Sequence, residues 1–130
     1  MKWKAEYSIG LGTIDRQHKE IFQCLLNIEN SLQKKDPWHV VRALTAELAD
    51  CLNIHFAVEE ALLEIVNYPN LEDHRAAHEK LTGMMQELEG KIRRSKSTSD
   101  LVAFFEAWFL DHVLKDDRAY AAYVREKLQA

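Results

Sequence analysis

Histidines and acidic residues recur along this chain at spacings that fit the inner faces of four separate helices. Five of the six histidines lie in segments that also carry an apolar stripe at helical spacing. The ligand-type residues of these segments are His18; His55 and Glu59; His74 and His78; and His112 and Asp117. Seven inward-facing imidazoles and carboxylates are costly to bury unless a metal compensates them. The pattern therefore predicts a metal site where four helices meet.

Length and composition indicate one globular domain over residues 1–130. Apolar residues make up 47% of the chain and charged residues 29%, an ordinary balance for a domain with a substantial core. The net charge of −4 offers no basic surface for nucleic acid. Membrane insertion is not expected either, because no apolar run approaches the roughly 20 residues of a membrane span. The N-terminus lacks the apolar stretch of a signal peptide, so a cytoplasmic location is expected.

Helical periodicity divides the chain into an N-terminal arm and four helices. The arm is predicted to cover 1–12, and the helices roughly 14–34, 38–66, 71–93 and 100–127. Thr13 or Asp15 is expected to cap the first helix, and Pro37 to open the second. Short connections make neighbouring long helices antiparallel. The predicted fold is therefore all-α: an up-down-up-down antiparallel four-helix bundle with an N-terminal extended arm.

The cysteines suggest no chemistry on their own. Cys24 and Cys51 are too few for a disulfide framework, and neither belongs to a Cys-x-x-Cys pair. Both lie on apolar faces of predicted helices. The sequence favours buried, inert thiols over a redox pair.

The spacing and the residue types also narrow the choice of metal. Residues four apart lie one turn above each other on one helix face, as do His74 and His78. A zinc-protease site is disfavoured, because Arg75 stands where that motif needs glutamate. Imidazole and carboxylate without thiolate suit iron better than structural zinc. Two octahedral metals sharing these donors and one bridging oxygen would keep a single vacancy, which suits a small diatomic ligand. His39, the remaining histidine, is expected to be exposed or capping.

The acidic residue of the last helix is ambiguous. Asp116 lies four residues after His112 and Asp117 lies five, so simple periodicity slightly favours Asp116. Asp117, however, shares an inward stripe with Val113 and Tyr120. A local widening of the helix, such as a π-bulge, would place both His112 and Asp117 inward.

Taken together, the motifs resemble the hemerythrin family, and in particular its bacterial branch. The motifs are Asp15-x-Gln17-His18, His55-Phe56-x-x-Glu59-Glu60, His74-x-x-x-His78 and His112-x-x-x-x-Asp117. The resemblance implies reversible dioxygen binding at a non-haem centre of two iron ions bridged by an oxo or hydroxo group. It implies that His74, His78 and His112 hold the saturated iron and that His18 and His55 hold the open one. It also implies that Glu59 and Asp117 bridge, which selects Asp117 over Asp116.

Reversible binding is expected to need a dry apolar shell and oriented imidazoles. The candidates for the oxygen pocket, each within a turn of a predicted ligand, are Ile21, Phe22, Phe56, Phe109 and Val113. The polar candidates for the second shell are Asp15, Gln17, Glu60 and Tyr120. The family often has an aliphatic residue where Phe109 stands, so this bulkier ring is expected to narrow access.

The leading functional prediction is an oxygen carrier, storage or sensing protein that is not an enzyme. Nitric oxide and peroxide are further candidate ligands, and the sequence specifies no protein partner. The alternative is a di-iron enzyme with peroxidase, oxidase or nitric-oxide-scavenging activity, which would require free entry of water. A third class is a structural or iron-storage bundle, whose metal spectrum would not respond to oxygen.

Overall fold

Four helical rods form the body of the protein. A computed structural model describes residues 3–95 and 99–129. The first three rods are α1 (Gly12–Gln33), α2 (Trp38–Ile65) and α3 (Leu71–Ser95). The fourth is continuous and consists of α4 (Ser99–Asp111), a π-helical segment (His112–Asp117) and α5 (Arg118–Gln129). With α1 against α2 and α4, and α3 against α2 and α4, the predicted all-α four-helix bundle is confirmed.

The turn between α2 and α3 returns the chain so that the ligand-type residues of both helices face each other. Asn67 has a left-handed backbone (φ 54°), which asparagine tolerates better than most residues. The amides of Asn67 and Tyr68 bond the carbonyls of Glu64 and Leu63, which satisfies the end of α2. Tyr123 fixes the turn from α5 by donating its hydroxyl to the carbonyl of Asn67.

Apolar residues at helical spacing fill the space between the rods. The fully buried members include Leu25 and Ile28 of α1 and Leu48 and Leu63 of α2. Burying each such side chain stabilises the fold by about 1.5–3 kcal/mol compared with leaving the side chain exposed to water. Among the described residues, five buried histidines form a polar layer within this core. No helix in the described ranges combines the length and apolar character that a bilayer crossing needs.

The N-terminal arm is anchored to α1 by Asp15. The Asp15 carboxylate accepts hydrogen bonds from the Ser8 hydroxyl (2.7 Å) and from the amides of Ile9 (2.8 Å) and Gly10 (3.2 Å). Gly10 has φ 82°, a left-handed backbone conformation that glycine adopts without strain.

Two predictions for Asp15 are corrected by this arrangement. Helix α1 begins at Gly12 with Leu11 as its N-cap, so Thr13 and Asp15 both lie inside the helix and neither caps it. The second-shell role predicted for Asp15 is also wrong, because its carboxylate bonds the arm and no histidine. Through the arm it holds Tyr7 and Ile9 in the core.

Asp15→Ala is expected to lower the free energy of unfolding by about 1–3 kcal/mol, because it leaves the part-buried Ile9 amide without its acceptor. Urea unfolding followed by circular dichroism measures the change. Asp50→Ala is the control, since Asp50 is exposed on α2, and it should change stability by at most about 0.5 kcal/mol. Equal effects of the two substitutions would contradict the anchoring role.

Candidate metal centre

Seven buried donor side chains from all four rods converge on one point inside the bundle. His18 comes from α1, His55 and Glu59 from α2, His74 and His78 from α3, and His112 and Asp117 from the π-helical segment. Their exposed fractions run from 0% for the two carboxylates to 6% for His74. Burial this complete leaves the donors to satisfy one another or a bound ion.

Three of the histidines surround one oxygen of Glu59, and two of the three also face one oxygen of Asp117. Glu59 Oε1 lies 3.0 Å from His78 Nε2 and 3.7 Å from His112 Nε2, and it also contacts His74 Nε2. Asp117 Oδ1 lies 3.0 Å from His112 Nε2 and 3.3 Å from His74 Nε2. One ligand atom each from Glu59 and these three histidines lie within 4.8 Å of one another, close enough to hold a single ion.

The other two histidines face the remaining carboxylate oxygens. His55 Nε2 lies 3.0 Å from Glu59 Oε2, and His18 Nε2 lies 2.9 Å from Asp117 Oδ2. The two Nε2 atoms are 3.2 Å apart. Each carboxylate therefore presents one oxygen to the three-histidine group and one to the two-histidine group, which is the position of a bridging ligand.

Metal cations would satisfy these nitrogen and oxygen atoms better than hydrogen bonds among the seven side chains do. His78 Nε2 and His112 Nε2 approach to 3.2 Å, as do His18 Nε2 and His55 Nε2, and two facing ring nitrogens can share only one proton. Both oxygens of Asp117 lie near imidazoles, yet neither has a hydrogen-bond partner of acceptable geometry. Lone pairs that converge in this way suit two metal ions with imidazole and carboxylate ligands.

The π-helical segment explains how His112 and Asp117 both point inward. A five-residue separation puts side chains about 140° apart on a regular α-helix, but π-helical winding brings them to the same face. Asp117 is fully buried, whereas the side chain of Asp116 is 49% exposed. The fourth rod therefore contains the local widening of the helix that an inward-facing Asp117 requires.

Comparison with known proteins agrees with this geometry. Residues 10–124 match the sequence profile of the Hemerythrin HHE cation binding domain. The chain belongs to the hemerythrin family.

Its relatives and structural neighbours in this family cover nearly all of the chain. A bacteriohemerythrin of Stenotrophomonas maltophilia is 30% identical over 97% of this chain and 82% of its own length. A hemerythrin of Siphonosoma cumanense is 29% identical, covering 91% of this chain and 88% of its own. The crystal structure of a wild-type hemerythrin has a TM-score of 0.84 at 26% identity, covering 94% of this chain and 95% of its own.

Contacts between the imidazoles and the carboxylates shift the pKa values of both kinds of side chain in the cluster. Burial alone would lower the pKa of His74, but the adjacent carboxylates of Asp117 and Glu59 raise it to about 9. Burial would raise the pKa of Glu59, but hydrogen bonds from His112, His55 and the other imidazoles hold it well below its usual range. Within the cluster, a protonated His74 therefore faces ionised carboxylates.

Two polar residues of α1 and α2 orient histidines from outside the centre. His55 Nδ1 donates to Gln17 Oε1 at 2.8 Å, and His78 Nδ1 donates to Glu60 Oε2 at 3.1 Å. In each case the proton on Nδ1 leaves Nε2 free to ligate. Gln17 and Glu60, both candidates from the sequence, therefore contact the outer nitrogens of two of the predicted ligands.

Two further second-shell contacts come from the fourth rod. The Tyr120 hydroxyl, fully buried, donates to Glu59 Oε2 at 3.0 Å. His112 Nδ1 donates to Asp116 Oδ2 at 3.1 Å. Sequence reasoning weighed Asp116 only as a competing ligand and missed this role. Its spacing of four residues from His112 was the available signal, because residues four apart contact each other on a helix.

Aromatic rings enclose the two-histidine side. The ring of Phe109 lies 5.7 Å from that of His18 and 5.8 Å from that of Phe22. Trp3 of the arm packs edge-on against Phe22 at 5.8 Å, a contact that sequence analysis did not anticipate. Ile21 and Val113 are also buried, as the pocket prediction requires, although their contacts do not distinguish them from ordinary core.

Different rings cover the three-histidine side. Phe56 stacks on His78 with ring centroids 3.9 Å apart, and Trp108 stacks on His112 at 5.0 Å. Phe56 therefore lies mainly against the three-histidine group, although its ring also approaches that of His55 at 5.9 Å. Trp108, which sequence analysis did not propose for the site, limits the rotation of His112 by stacking on it.

Proposed function

We propose that this hemerythrin binds dioxygen reversibly at two iron ions held by the seven converging side chains. One ion would be held by His74, His78 and His112 and the other by His18 and His55, while Glu59 and Asp117 would serve both. An oxo or hydroxo group would be shared by the two ions. When bound, the ferrous pair supplies the electrons that dioxygen needs in order to bind.

The observation that carries this proposal is the unequal division of imidazoles between the two ends of the carboxylates. Three Nε2 atoms lie around Glu59 Oε1 and Asp117 Oδ1, and two lie near Glu59 Oε2 and Asp117 Oδ2. With shared carboxylates, the two-histidine end has one donor fewer. A coordination position is therefore left for a small ligand at that end.

The residues around that position keep water and protons away from it. Phe22 and Phe109, 3% and 1% exposed, replace solvent beside His18 with an apolar wall. Burial, together with the neighbouring Glu59 carboxylate, raises the pKa of Tyr120 far above its usual range, so its proton stays on the phenol oxygen. Excluding water and holding protons in this way favours release of dioxygen unchanged over its reduction.

Iron analysis combined with optical spectra tests the proposal. We expect two iron ions per chain and a visible band that appears when the reduced protein meets air. The band should disappear on removal of oxygen and return on re-exposure. One ion per chain would refute the paired site, and steady consumption of peroxide without a reversible band would favour an enzyme.

Phe109→Leu is expected to increase the dissociation rate of dioxygen several-fold, because a smaller side chain opens the wall beside His18. Stopped-flow release measurements on iron-loaded protein provide the rate. Phe56→Leu is the matched control, since it makes the same change beside His78. Equal rates in Phe109→Leu and wild type would contradict the proposed gate.

A further inference from the structure

The two cysteines of the chain meet at the interface of α1 and α2. Cys24 Sγ and Cys51 Sγ are 3.5 Å apart, and both thiols are free. The two residues lie on different helices and far apart in the sequence, so no local motif brings them together. The tertiary packing alone creates this pair, which the sequence did not predict.

The geometry is close to that of a disulfide. A disulfide bond needs the sulfur atoms at about 2.05 Å, so they must approach by about 1.5 Å. Rotation about the two Cα–Cβ bonds moves the sulfur atoms, so an approach of this size is within the reach of the two side chains.

The two thiols differ in their access to reagents. Cys24 is 7% exposed, while Cys51 is only partly buried. Burial and the neighbouring Cys51 thiol raise the pKa of Cys24 to about 12, which keeps Cys24 protonated. The more accessible Cys51 is therefore the first to meet an oxidant, and Cys24 lies ready to react with the product.

We propose that Cys24 and Cys51 form a reversible dithiol–disulfide site whose oxidant is hydrogen peroxide. The Cys51 thiolate attacks one peroxide oxygen, the O–O bond breaks, and the products are a sulfenic acid and hydroxide. The Cys24 sulfur then attacks Cys51 Sγ while its proton passes to the sulfenic oxygen. The S–O bond breaks, the S–S bond forms, and the oxygen leaves as water. Overall, two thiols and one peroxide give one disulfide and two waters, and an external dithiol reverses the change.

The pair lies on the two helices that carry the two-histidine group. Cys51 precedes His55 by four residues, one turn of α2, and Cys24 follows His18 on α1 by six. The disulfide would join these helices covalently beside that group. Since the reaction uses only the two sulfurs and peroxide, it stands or falls independently of the proposed iron ligands.

Mass spectrometry of the iron-loaded protein after treatment with hydrogen peroxide tests the inference. We expect a monomer lighter by about 2 Da, a thiol titre that falls from two per chain to none, and a peptide linking Cys24 to Cys51. Dithiothreitol should restore both thiols. Two persistent thiols, a sulfinic or sulfonic product about 32 or 48 Da heavier, or a disulfide-linked dimer would each overturn the inference.

Single variants identify the order of reaction. In Cys24→Ala, Cys51 should be trapped as a sulfenic acid by dimedone, because its partner is missing. In Cys51→Ala, Cys24 should react with dimedone far more slowly, because it is buried. Faster labelling of Cys24 than of Cys51 would overturn the assigned roles. The wild-type masses decide whether the disulfide forms even if a variant fails to fold.

Discussion

Asp117→Asn is expected to reduce iron binding from two ions per chain to one or none and to abolish the oxygen-dependent spectrum. Asp117 is fully buried and presents its two oxygens to different histidine groups, 2.9 Å from His18 Nε2 and 3.0 Å from His112 Nε2. Asparagine has one oxygen instead of two and no negative charge. One metal ion would therefore lose a ligand, and the buried cations would lose a negative charge that balances them.

Asp116→Asn is the matched control, with the same chemical change one residue earlier in the chain. Asp116 bonds the outer nitrogen of His112 and is half exposed. Its replacement should retain two ions per chain and weaken iron affinity about 10- to 100-fold, the usual effect of losing a second-shell partner. Colorimetric iron analysis after gel filtration gives the stoichiometry. Two ions in Asp117→Asn, or none in Asp116→Asn, would reverse the assignment of the two aspartates.

Metal-free protein is expected to lose stability as the pH rises from about 6 to about 9, while iron-loaded protein keeps its stability. The folded-state pKa of His74 is raised to about 9, above its unfolded value of about 6.5. Its contribution is therefore complete below about pH 6.5 and is lost as the pH approaches 9. The lowered pKa of Glu59 acts only at acid pH, where protonation of that carboxylate removes stability.

Bound iron is expected to remove this loss of stability with rising pH, because a ligated imidazole is already deprotonated. We expect the melting temperature of metal-free protein to fall by about 5 °C or more across this range, and iron to raise it by about 10 °C or more near pH 7. Differential scanning calorimetry at matched pH measures both changes. In metal-free protein, His74→Gln should reduce the pH dependence. The remainder comes from His112, whose pKa would be lowered by burial but is raised to about 12 by the Asp116 carboxylate. His39→Gln should leave the dependence unchanged, since His39 is exposed. A metal-free protein that becomes more stable toward pH 9 would contradict this account.

Much of the fold and of the proposed ligand set follows from spacing along single helices. His55 with Glu59, and His74 with His78, lie one turn apart, so a helical stripe alone places each pair on one face. The same argument could not choose between Asp116 and Asp117. That choice depends on a π-helical segment, whose winding is set by how the fourth rod packs around the buried donors.

Contacts between distant segments account for what the sequence left open or got wrong. Asp15 anchors the arm because the backbone of Ile9 and Gly10 folds back onto α1, and residue types do not reveal that approach. Trp3 reaches the aromatic cluster beside the two-histidine group for the same reason. Cys24 and Cys51 read as unrelated buried thiols until the α1–α2 interface puts them 3.5 Å apart.

The sequence by itself determined four amphipathic helices, and it determined that ligand-type residues share their apolar faces, because helical periodicity depends only on local spacing. Tertiary structure decided which oxygen faces which imidazole, which aspartate is buried and which thiols meet. Those outcomes depend on the axial shift and rotation of one helix against another. Side-chain packing between helices sets these variables, and no periodicity within a single helix encodes them.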